Sequence, residues 1–164
     1  MLACLLLSAT AAAAELVGRV VGVADGDTLT VLDDAREQHR IRLAGIDAPE
    51  KRQAFGERAR QNLAELVFGK NVLVIWDTHD RYGRIIGRVI APQCDAHACR
   101  AVDAGLEQLR AGLAWHYKQY QREQPLEERL LYSDSERDAR ARRDGLWHEP
   151  DAIPPWQFRH PSHG

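Results

Sequence analysis

The sequence predicts an α+β fold in which five short β-strands close into a small barrel and about three helices pack against it. Five segments rich in Val, Ile and Leu alternate loosely between apolar and polar residues and end at turn residues, which predicts strands at residues 15–24, 28–32, 38–46, 72–76 and 85–90. Between the third and fourth strands the apolar spacing changes to that of a helix. With 164 residues, 45% of them hydrophobic, the chain can form one domain with its own core.

Turn residues separate the predicted strands in order. Asp25-Gly26-Asp27 follows the first strand, and Asp33-Asp34 follows the second. Pro49 ends the third strand, since proline has no amide hydrogen to donate to a sheet. A charged turn at residues 77–83 joins the last two strands. The order of these turns leaves room for a long insertion only after the third strand.

Three helices complete the predicted domain. The first covers residues 55–68, and its apolar residues recur at helical spacing: Ala59, Leu63, Leu66 and Val67. The second is expected at residues 102–113. The third is expected from Pro125 to about Arg143, where Gly145 stops it. A five-stranded barrel with a helix after its third strand is the arrangement of the OB-fold, which commonly binds oligonucleotides.

The two ends of the chain differ from this predicted domain of residues 15–149. Residues 1–14 combine an apolar run with four alanines, as in the apolar and cleavage regions of a secretory signal, so we expect export to the periplasm or beyond. No Lys or Arg precedes the apolar run, which a truncated start would explain, and a buried N-terminal element is the alternative. Residues 150–164 contain Pro154-Pro155 and little periodicity, which indicates an extended or disordered tail.

Cysteine use agrees with export. Removing residues 1–14 would leave Cys94 and Cys99, and an even pair in an exported protein suggests a disulfide that closes a small loop. His97 lies between the two cysteines, so a zinc site is the alternative, although the Cys-x₂-Cys spacing is absent and a fourth ligand is not obvious.

Three motifs carry the chemistry. Residues 25–28 read Asp-Gly-Asp-Thr, residues 41–50 read Ile-Arg-Leu-Ala-Gly-Ile-Asp-Ala-Pro-Glu, and residues 82–84 read Tyr-Gly-Arg. Carboxylates are the ligands that Ca²⁺ or Mg²⁺ prefers, and arginines grip a phosphate through paired hydrogen bonds. A further carboxylate beside both suits a general base. Because the formal net charge is only −2, any attraction to nucleic acid must come from this local cluster rather than from a basic surface.

These three motifs, in this order and at this spacing, make the chain resemble the staphylococcal nuclease (thermonuclease) family of Ca²⁺-dependent secreted nucleases over residues 16–148. The resemblance implies that Asp27 and Asp47 ligate Ca²⁺ together with the backbone carbonyl of Ala48. Family members often have Thr at the position of Ala48, and a main-chain ligand makes that difference harmless to the metal site. The expected substrates are DNA and RNA, cut with little sequence preference to leave 3′-phosphates.

The resemblance also assigns the remaining site residues. It implies that Arg42 and Arg84 clamp the phosphate and that Glu50 is the base. It further implies substrate contacts from three residues, Tyr82, Lys118 and Tyr120. Lys118 departs from the family pattern, which often has an aromatic residue there. We expect a monomer with no stable membrane association after removal of the signal.

Two other functions fit parts of the sequence. A non-catalytic module could use the same barrel to hold nucleic acid or a protein, but the catalytic set is complete here: Asp27, Arg42, Asp47, Glu50 and Arg84. A structural envelope protein could bind Ca²⁺ at the acidic turn, but that function leaves both arginines unexplained. Metal-dependent cleavage of nucleic acid distinguishes all three.

Overall fold

A computed structural model describes residues 13–160 of the chain. The predicted signal peptide, residues 1–14, lies outside the described residues except for its last two. The strands are β1 (Ala14–Val23), β2 (Thr28–Asp33), β3 (Gln38–Leu43), β4 (Ile46–Asp47), β5 (Asn71–His79), β6 (Ile85–Cys94), β7 (Cys99–Asp103) and β8 (Trp115–His116). The α-helices are α1 (Gly56–Val67), α2 (Ala104–Arg110), α3 (Leu126–Arg142) and α4 (Pro155–Phe158), and Lys118–Glu123 and Gly145–His148 form 3₁₀ helices. Within residues 13–160, no helix is long and apolar enough to cross a membrane.

The predicted five-stranded barrel with helices is confirmed. The main sheet has the order β3-β2-β1-β5-β6-β7, and parallel pairing between β3 and β6 closes its first five strands into a barrel. Alternate strand residues point inward and are fully buried, among them Leu29, Val31, Ile41, Val74 and Val89. Helix α1 presents its apolar stripe to this core through Ala59, Leu63 and Val67. The apolar residues that alternate along the strands and those at helical spacing in α1 therefore form one common core.

The third predicted strand is shorter than expected and breaks at a glycine. Strand β3 ends at Leu43, and Gly45 adopts a positive φ of 72°, which a residue with a side chain rarely adopts. Strand β4 then leaves the barrel and pairs antiparallel with β8, where Asp47 lies opposite Trp115. This break directs Asp47 and the residues after it across the open end of the barrel.

The second predicted helix begins later than expected, because its first two residues belong to a strand. Val102 and Asp103 end β7, which pairs antiparallel with β6. The Asp103 carboxylate then caps α2 by accepting hydrogen bonds from the amides of Gly105, at 2.9 Å, and Leu106, at 3.2 Å. Asp103 is therefore the residue that marks the change from strand to helix.

The C-terminal segment also differs from the extended or disordered tail that the sequence predicts. Pro155 begins the short helix α4, a position where its fixed φ and missing amide hydrogen are tolerated. The ring of Trp156 packs against Tyr117, with ring centres 5.6 Å apart, and against Trp115 at 6.3 Å. Packing of its aromatic ring holds this proline-rich segment against the barrel. The spacing of apolar residues in the sequence does not predict this packing.

Cys94 and Cys99 lie opposite each other at the end of the β6–β7 hairpin, with Cα atoms 4.0 Å apart, and are joined by a disulfide. The zinc alternative would need both thiols free. The bridge closes a hairpin of sequence separation 5, so its effect on the entropy of the unfolded chain is small.

His116 of β8 generates a prediction about stability and pH. Its ring is buried, and burial lowers its pKa more than the hydrogen bond to Gln124 Oε1 and the nearby carboxylates of Glu136 and Glu128 raise it. The unfolded chain therefore binds a proton more readily than the folded protein as pH falls through about 6.5. We expect stability to fall below that pH, and the fall to be smaller in His116→Gln. Thermal melts between pH 5 and 8 measure how stability depends on pH, with the exposed His160→Gln as the control. Equal pH slopes in wild type and His116→Gln would contradict the prediction.

Candidate active site

Asp27 is held in place by its neighbours from two directions. It is buried just before β2, where Asp27 Oδ2 accepts a hydrogen bond of 2.8 Å from the amide of Ala48 and pairs with Arg42 Nη1 at 2.7 Å. The hydroxyl of Thr28 donates to Asp27 Oδ1 at 3.1 Å. These contacts fix the position of the Asp27 carboxylate. The hydrogen bond from Ala48 joins two residues that are 21 positions apart in the sequence.

Arg42 joins Asp27 to Asp47. Strand β3 places Arg42 opposite Thr28 of β2, so its guanidinium emerges beside the Asp27 loop. Its Nη2 donates to Asp47 Oδ1 at 2.8 Å, and its Nη1 donates to the carbonyl of Ile46 at 3.3 Å. The charges of Asp27 and Asp47 raise the pKa of Arg42 despite the opposing effect of burial. Two carboxylates from separate loops are thus held together by one cation.

The loop that carries Asp27 depends on the absence of a side chain at Gly26. A Cβ there would lie 2.6 Å from Ala59 Cβ and 2.7 Å from Ala48 Cβ. The fully buried Gln108 of α2 donates to the carbonyls of Gly26, at 2.6 Å, and Ala59, at 2.8 Å. Gly26 therefore serves close packing against α1, whereas the sequence alone favours an ordinary Asp-Gly turn.

Asp25 adds a third carboxylate to this part of the protein. Burial first, and then the charge of Asp27, raise the pKa of Asp25 to about 6. Burial also raises the pKa of Asp47, although Arg159 and Arg42 act in the opposite direction. Burial is the main cause of both shifts, because a buried carboxylate holds its negative charge less readily than one in water.

Glu50 lies just beyond β4, and its partner comes from the far end of the chain. Its backbone amide donates to Gln53 Oε1 at 3.1 Å. Its carboxylate pairs with Arg159 Nη1 at 2.6 Å, and the same guanidinium reaches Asp47. The side chain of Glu50 is 38% exposed, in contrast to the buried Asp47, so it meets both the cluster and solvent.

Arg84 reaches the cluster from the β5–β6 turn. Asp80 holds it there: Asp80 Oδ2 pairs with Arg84 Nε at 2.6 Å, and Asp80 Oδ1 accepts from the Arg84 amide at 3.0 Å. Although burial raises the pKa of Asp80, these hydrogen bonds from Arg84 lower it overall. Arg84 Nη1 then donates to the Thr28 hydroxyl at 3.4 Å, which links Arg84 to Asp27 through one side chain.

The three predicted substrate-binding residues lie in different surroundings. Tyr82 is 67% exposed on the turn before Arg84, whose guanidinium carbon lies 5.7 Å from the centre of its ring. Lys118 donates to Glu136 of α3 at 3.1 Å rather than to the carboxylate cluster. Tyr120 is half-exposed, with its ring 5.4 Å from that of Tyr117. Lys118, Tyr117 and Trp156 help to line a pocket of about 330 Å³.

Sequence reasoning missed two residues of this site. Gln108 resembles any polar residue on a predicted helix, and no local pattern shows that its amide braces the Asp27 loop. Arg159 is separated from Asp47 by 112 residues, so only the fold brings them together. A weak signal existed in the aromatic residues of Pro-Pro-Trp-Gln-Phe-Arg, which are unusual in a disordered tail.

The donor set at the barrel's end fits a hard divalent cation. Asp25, Asp27 and Asp47 offer carboxylate oxygens, the ligand type that a hard dication prefers. Among the described residues, the one group of three or more His, Cys, Asp or Glu whose ligand atoms all lie within 4.8 Å of one another is a different one, Asp33, Glu37 and His39 on the β2–β3 hairpin. None of the predicted site residues belongs to that group.

The fold and the site together define a class of protein. A closed five-stranded barrel that gathers buried carboxylates and guanidinium groups at one end has the parts needed to hydrolyse a phosphodiester. A family model described as "Staphylococcal nuclease homologue" matches residues 40–149, and the chain belongs to this family. The predicted resemblance is confirmed, and the protein is a nuclease, a phosphodiester hydrolase.

Individual relatives extend the similarity over nearly the whole chain. "Protein ParB" of Escherichia coli is 44% identical over 158 residues, which cover 96% of this chain and 86% of that protein. An "Uncharacterized endonuclease" of Escherichia coli is 42% identical over 147 residues, covering 90% and 87%. A "Micrococcal nuclease" of Shigella flexneri is 41% identical over 161 residues, covering 98% and 90%. These similarities include the Asp25–Asp27 loop, which precedes the family-model match.

The tight packing at Gly26 generates a second prediction. A methyl group there must push Ala59 or Ala48 aside, so we expect Gly26→Ala to lower the free energy of unfolding by about 1–3 kcal/mol and to displace Asp27. Gly22→Ala is the matched control, because a Cβ at Gly22 would make only an ordinary contact of 3.7 Å with Thr30. Urea unfolding of both variants measures the difference. Equal stability of the two variants would show that the loop is not packed as described.

Proposed function

We propose that the protein is an exported, Ca²⁺-dependent nuclease that cleaves DNA and RNA with little sequence preference and leaves 3′-phosphates. One observation carries the proposal: Arg42 holds Asp27 and Asp47 together beside Glu50, at the end of the barrel that Arg84 also approaches. The relatives named as an endonuclease and a micrococcal nuclease support the same activity.

Asp27 and Asp47 would hold the metal ion, with the backbone of Ala48 beside them. When bound, Ca²⁺ would supply charge neutralisation at a phosphate oxygen and a site for water. Arg42 keeps the two carboxylates at a fixed separation before the ion arrives, so the ion meets a prepared pair of ligands. Flexible oxygen coordination lets two carboxylates, a carbonyl and waters suffice.

Glu50 is the proposed general base. Its exposed carboxylate lies next to Asp47, where a water between enzyme and substrate can reach it. Accepting the proton of the attacking water increases its nucleophilicity, and such assistance is worth roughly 10²–10⁴-fold in rate. The proton moves from the water oxygen to a Glu50 carboxylate oxygen as the new bond to phosphorus forms and the bond from phosphorus to the 5′ oxygen breaks. The departing 5′ alkoxide takes a proton from solvent.

Arg84 and Arg42 are the proposed phosphate clamp. Asp80 Oδ2 accepts from Arg84 Nε and so orients the guanidinium, while Asp80 Oδ1 accepts from the amides of Tyr82 and Arg84 in the same turn. Nη1 makes only a contact of 3.4 Å with the Thr28 hydroxyl, so the Nη atoms can bind a substrate. Contacts of this kind strengthen as charge builds on the phosphate oxygens, which stabilises the transition state more than the ground state. Arg42 contributes mainly by the position of its charge, because both of its Nη atoms already bind carboxylates.

Substrate contacts and cellular location complete the proposal. Tyr82 beside Arg84, and the pocket lined by Lys118 and Trp156 with Tyr120 near its aromatic wall, would contact the bases and sugars of a single strand. Such stacking tolerates any base, which supports low sequence preference. The disulfide between Cys94 and Cys99 supports an oxidising compartment outside the cytoplasm. The protein would act as a monomer there.

The proposal predicts that cleavage depends on both Ca²⁺ and Glu50. We expect digestion of single-stranded and duplex DNA in Ca²⁺ and none in a chelator, and we expect Glu50→Gln to fold normally while turnover falls by about 10²–10⁴-fold. Glu65→Gln, an exposed change on α1, is the matched control and should cut at the wild-type rate. Gel digestion with RNA and DNA substrates measures these rates.

Two outcomes would contradict the proposal. Undiminished cleavage by Glu50→Gln would remove Glu50 as the base. Retention of DNA at low salt without cleavage under any metal condition would make the protein a binding module.

A further inference from the structure

The C-terminal segment, defined here as residues 150–160, folds back over the proposed active site. Three contacts anchor it: Gln53 Nε2 donates to the carbonyl of Ile153, Pro155 is buried, and the ring of Trp156 packs against Tyr117. Tyr117 directly follows β8, the strand that pairs with β4, which carries Asp47. The segment therefore ends directly above the carboxylates assigned to metal binding and catalysis.

Arg159, at the end of this segment, engages both carboxylates with one guanidinium. Its Nη2 pairs with Asp47 Oδ2 at 2.7 Å, and its Nη1 contacts Glu50 Oε1 at 2.6 Å and Asp47 Oδ1 at 3.2 Å. Arg42 already donates to Asp47 Oδ1 at 2.8 Å, so both oxygens of Asp47 have cationic partners. Arg159 thus bridges the proposed metal ligand Asp47 and the proposed base Glu50 with a positive charge that neither role requires.

A divalent cation bound at Asp47 could not leave this arrangement unchanged. The ion needs a carboxylate oxygen of Asp47, and the Arg159 guanidinium lies within hydrogen-bonding distance of both of them. Two cations a few ångströms apart in a partly buried site repel strongly, since the interaction is screened far less than in water. Either Arg159 moves away when the ion binds, or it weakens the binding of the ion.

We propose that Arg159 is a further residue of the active site: an internal cation that occupies Asp47 and Glu50 in the metal-free enzyme and that a metal ion must displace. The C-terminal segment then acts as a strap that opens when Ca²⁺ binds, which frees the Glu50 carboxylate from its ion pair with Arg159. This inference rests on the proposed function for the identity of the ion and for the role of Glu50.

The strap is suited to reversible release. The side chain of Arg159 is 37% exposed, so water can replace its hydrogen bonds as it leaves. Its helix α4 is only four residues long. The alternative role for Arg159 is a positioning one, in which it holds Asp47 and Glu50 in place for the ion. The two roles predict changes of opposite sign in Ca²⁺ affinity.

The test measures Ca²⁺ affinity directly by isothermal titration calorimetry, without substrate and on the full chain. Wild type is compared with Arg159→Ala, which removes the internal cation, and with Arg159→Lys, which keeps the charge but cannot bridge both carboxylates as a planar fork. Gln157→Ala is the matched control, an exposed position on the same short helix. Thermal melts show that each variant is folded.

We expect Arg159→Ala to bind Ca²⁺ at least about fivefold more tightly than wild type. In wild type the ion can bind only the minor population in which Arg159 has left Asp47, and the variant removes that requirement. Arg159→Lys should lie between them, and Gln157→Ala should match wild type. Equal affinities in wild type and Arg159→Ala would overturn the inference, and weaker binding by Arg159→Ala would assign Arg159 the positioning role instead. If neither protein binds Ca²⁺, the proposed metal site itself fails, and the inference fails with it.

A second readout follows the strap itself. Hydrogen–deuterium exchange of peptides within residues 150–160 should become faster in wild type when Ca²⁺ is added and should already be fast in Arg159→Ala. Slower exchange in Ca²⁺ would mean that the ion closes the segment, and it would overturn the inference even if the affinities changed as expected.

Discussion

The site depends on one buried contact, the Arg42 guanidinium shared by Asp27 and Asp47. Like charges cannot be brought together inside a protein without compensation, and Arg42 and Arg159 both oppose the rise that burial causes in the pKa of Asp47. Removing one partner from such a buried network typically costs about 3–5 kcal/mol, because the charge left behind is unpaired. Arg42 therefore supports the fold and the chemistry through the same hydrogen bonds.

The barrel brings Asp27, Arg42 and Asp47 close enough together for this contact. Antiparallel pairing places Thr28 opposite Arg42, and the left-handed Gly45 turns the chain so that Asp47 comes back toward the same strand end. Gln108 braces the loop before β2 from the helix side. Arg42 and Gln108 lie on regular elements rather than on free loops, which is how small displacements of catalytic groups are avoided.

Sequence reasoning recovered the parts of this account that have local signals. Strand alternation predicted the barrel, helical spacing predicted α1, and the three charged motifs brought together Asp27, Arg42, Asp47, Glu50 and Arg84. The break at Gly45 was missed because apolar residues continue across it, so periodicity did not change. The cap at Asp103 was missed although the sequence carries a capping residue there, because the helix was assigned from Val102 onward. Arg159 was missed for a different reason, since a contact across 112 residues depends on tertiary packing that no short window contains.

The central claim is that the carboxylates joined by Arg42, and not another acidic cluster, receive the metal. The most direct measurement is the anomalous scattering of Ca²⁺ in crystals of the protein grown with the ion, collected at long wavelength. We predict a peak between Asp27 and Asp47, at the 2.3–2.6 Å or so from carboxylate oxygens that Ca²⁺ adopts in proteins, with Arg159 withdrawn from Asp47. A peak at Asp33, Glu37 and His39 with none beside Asp47 would contradict the account.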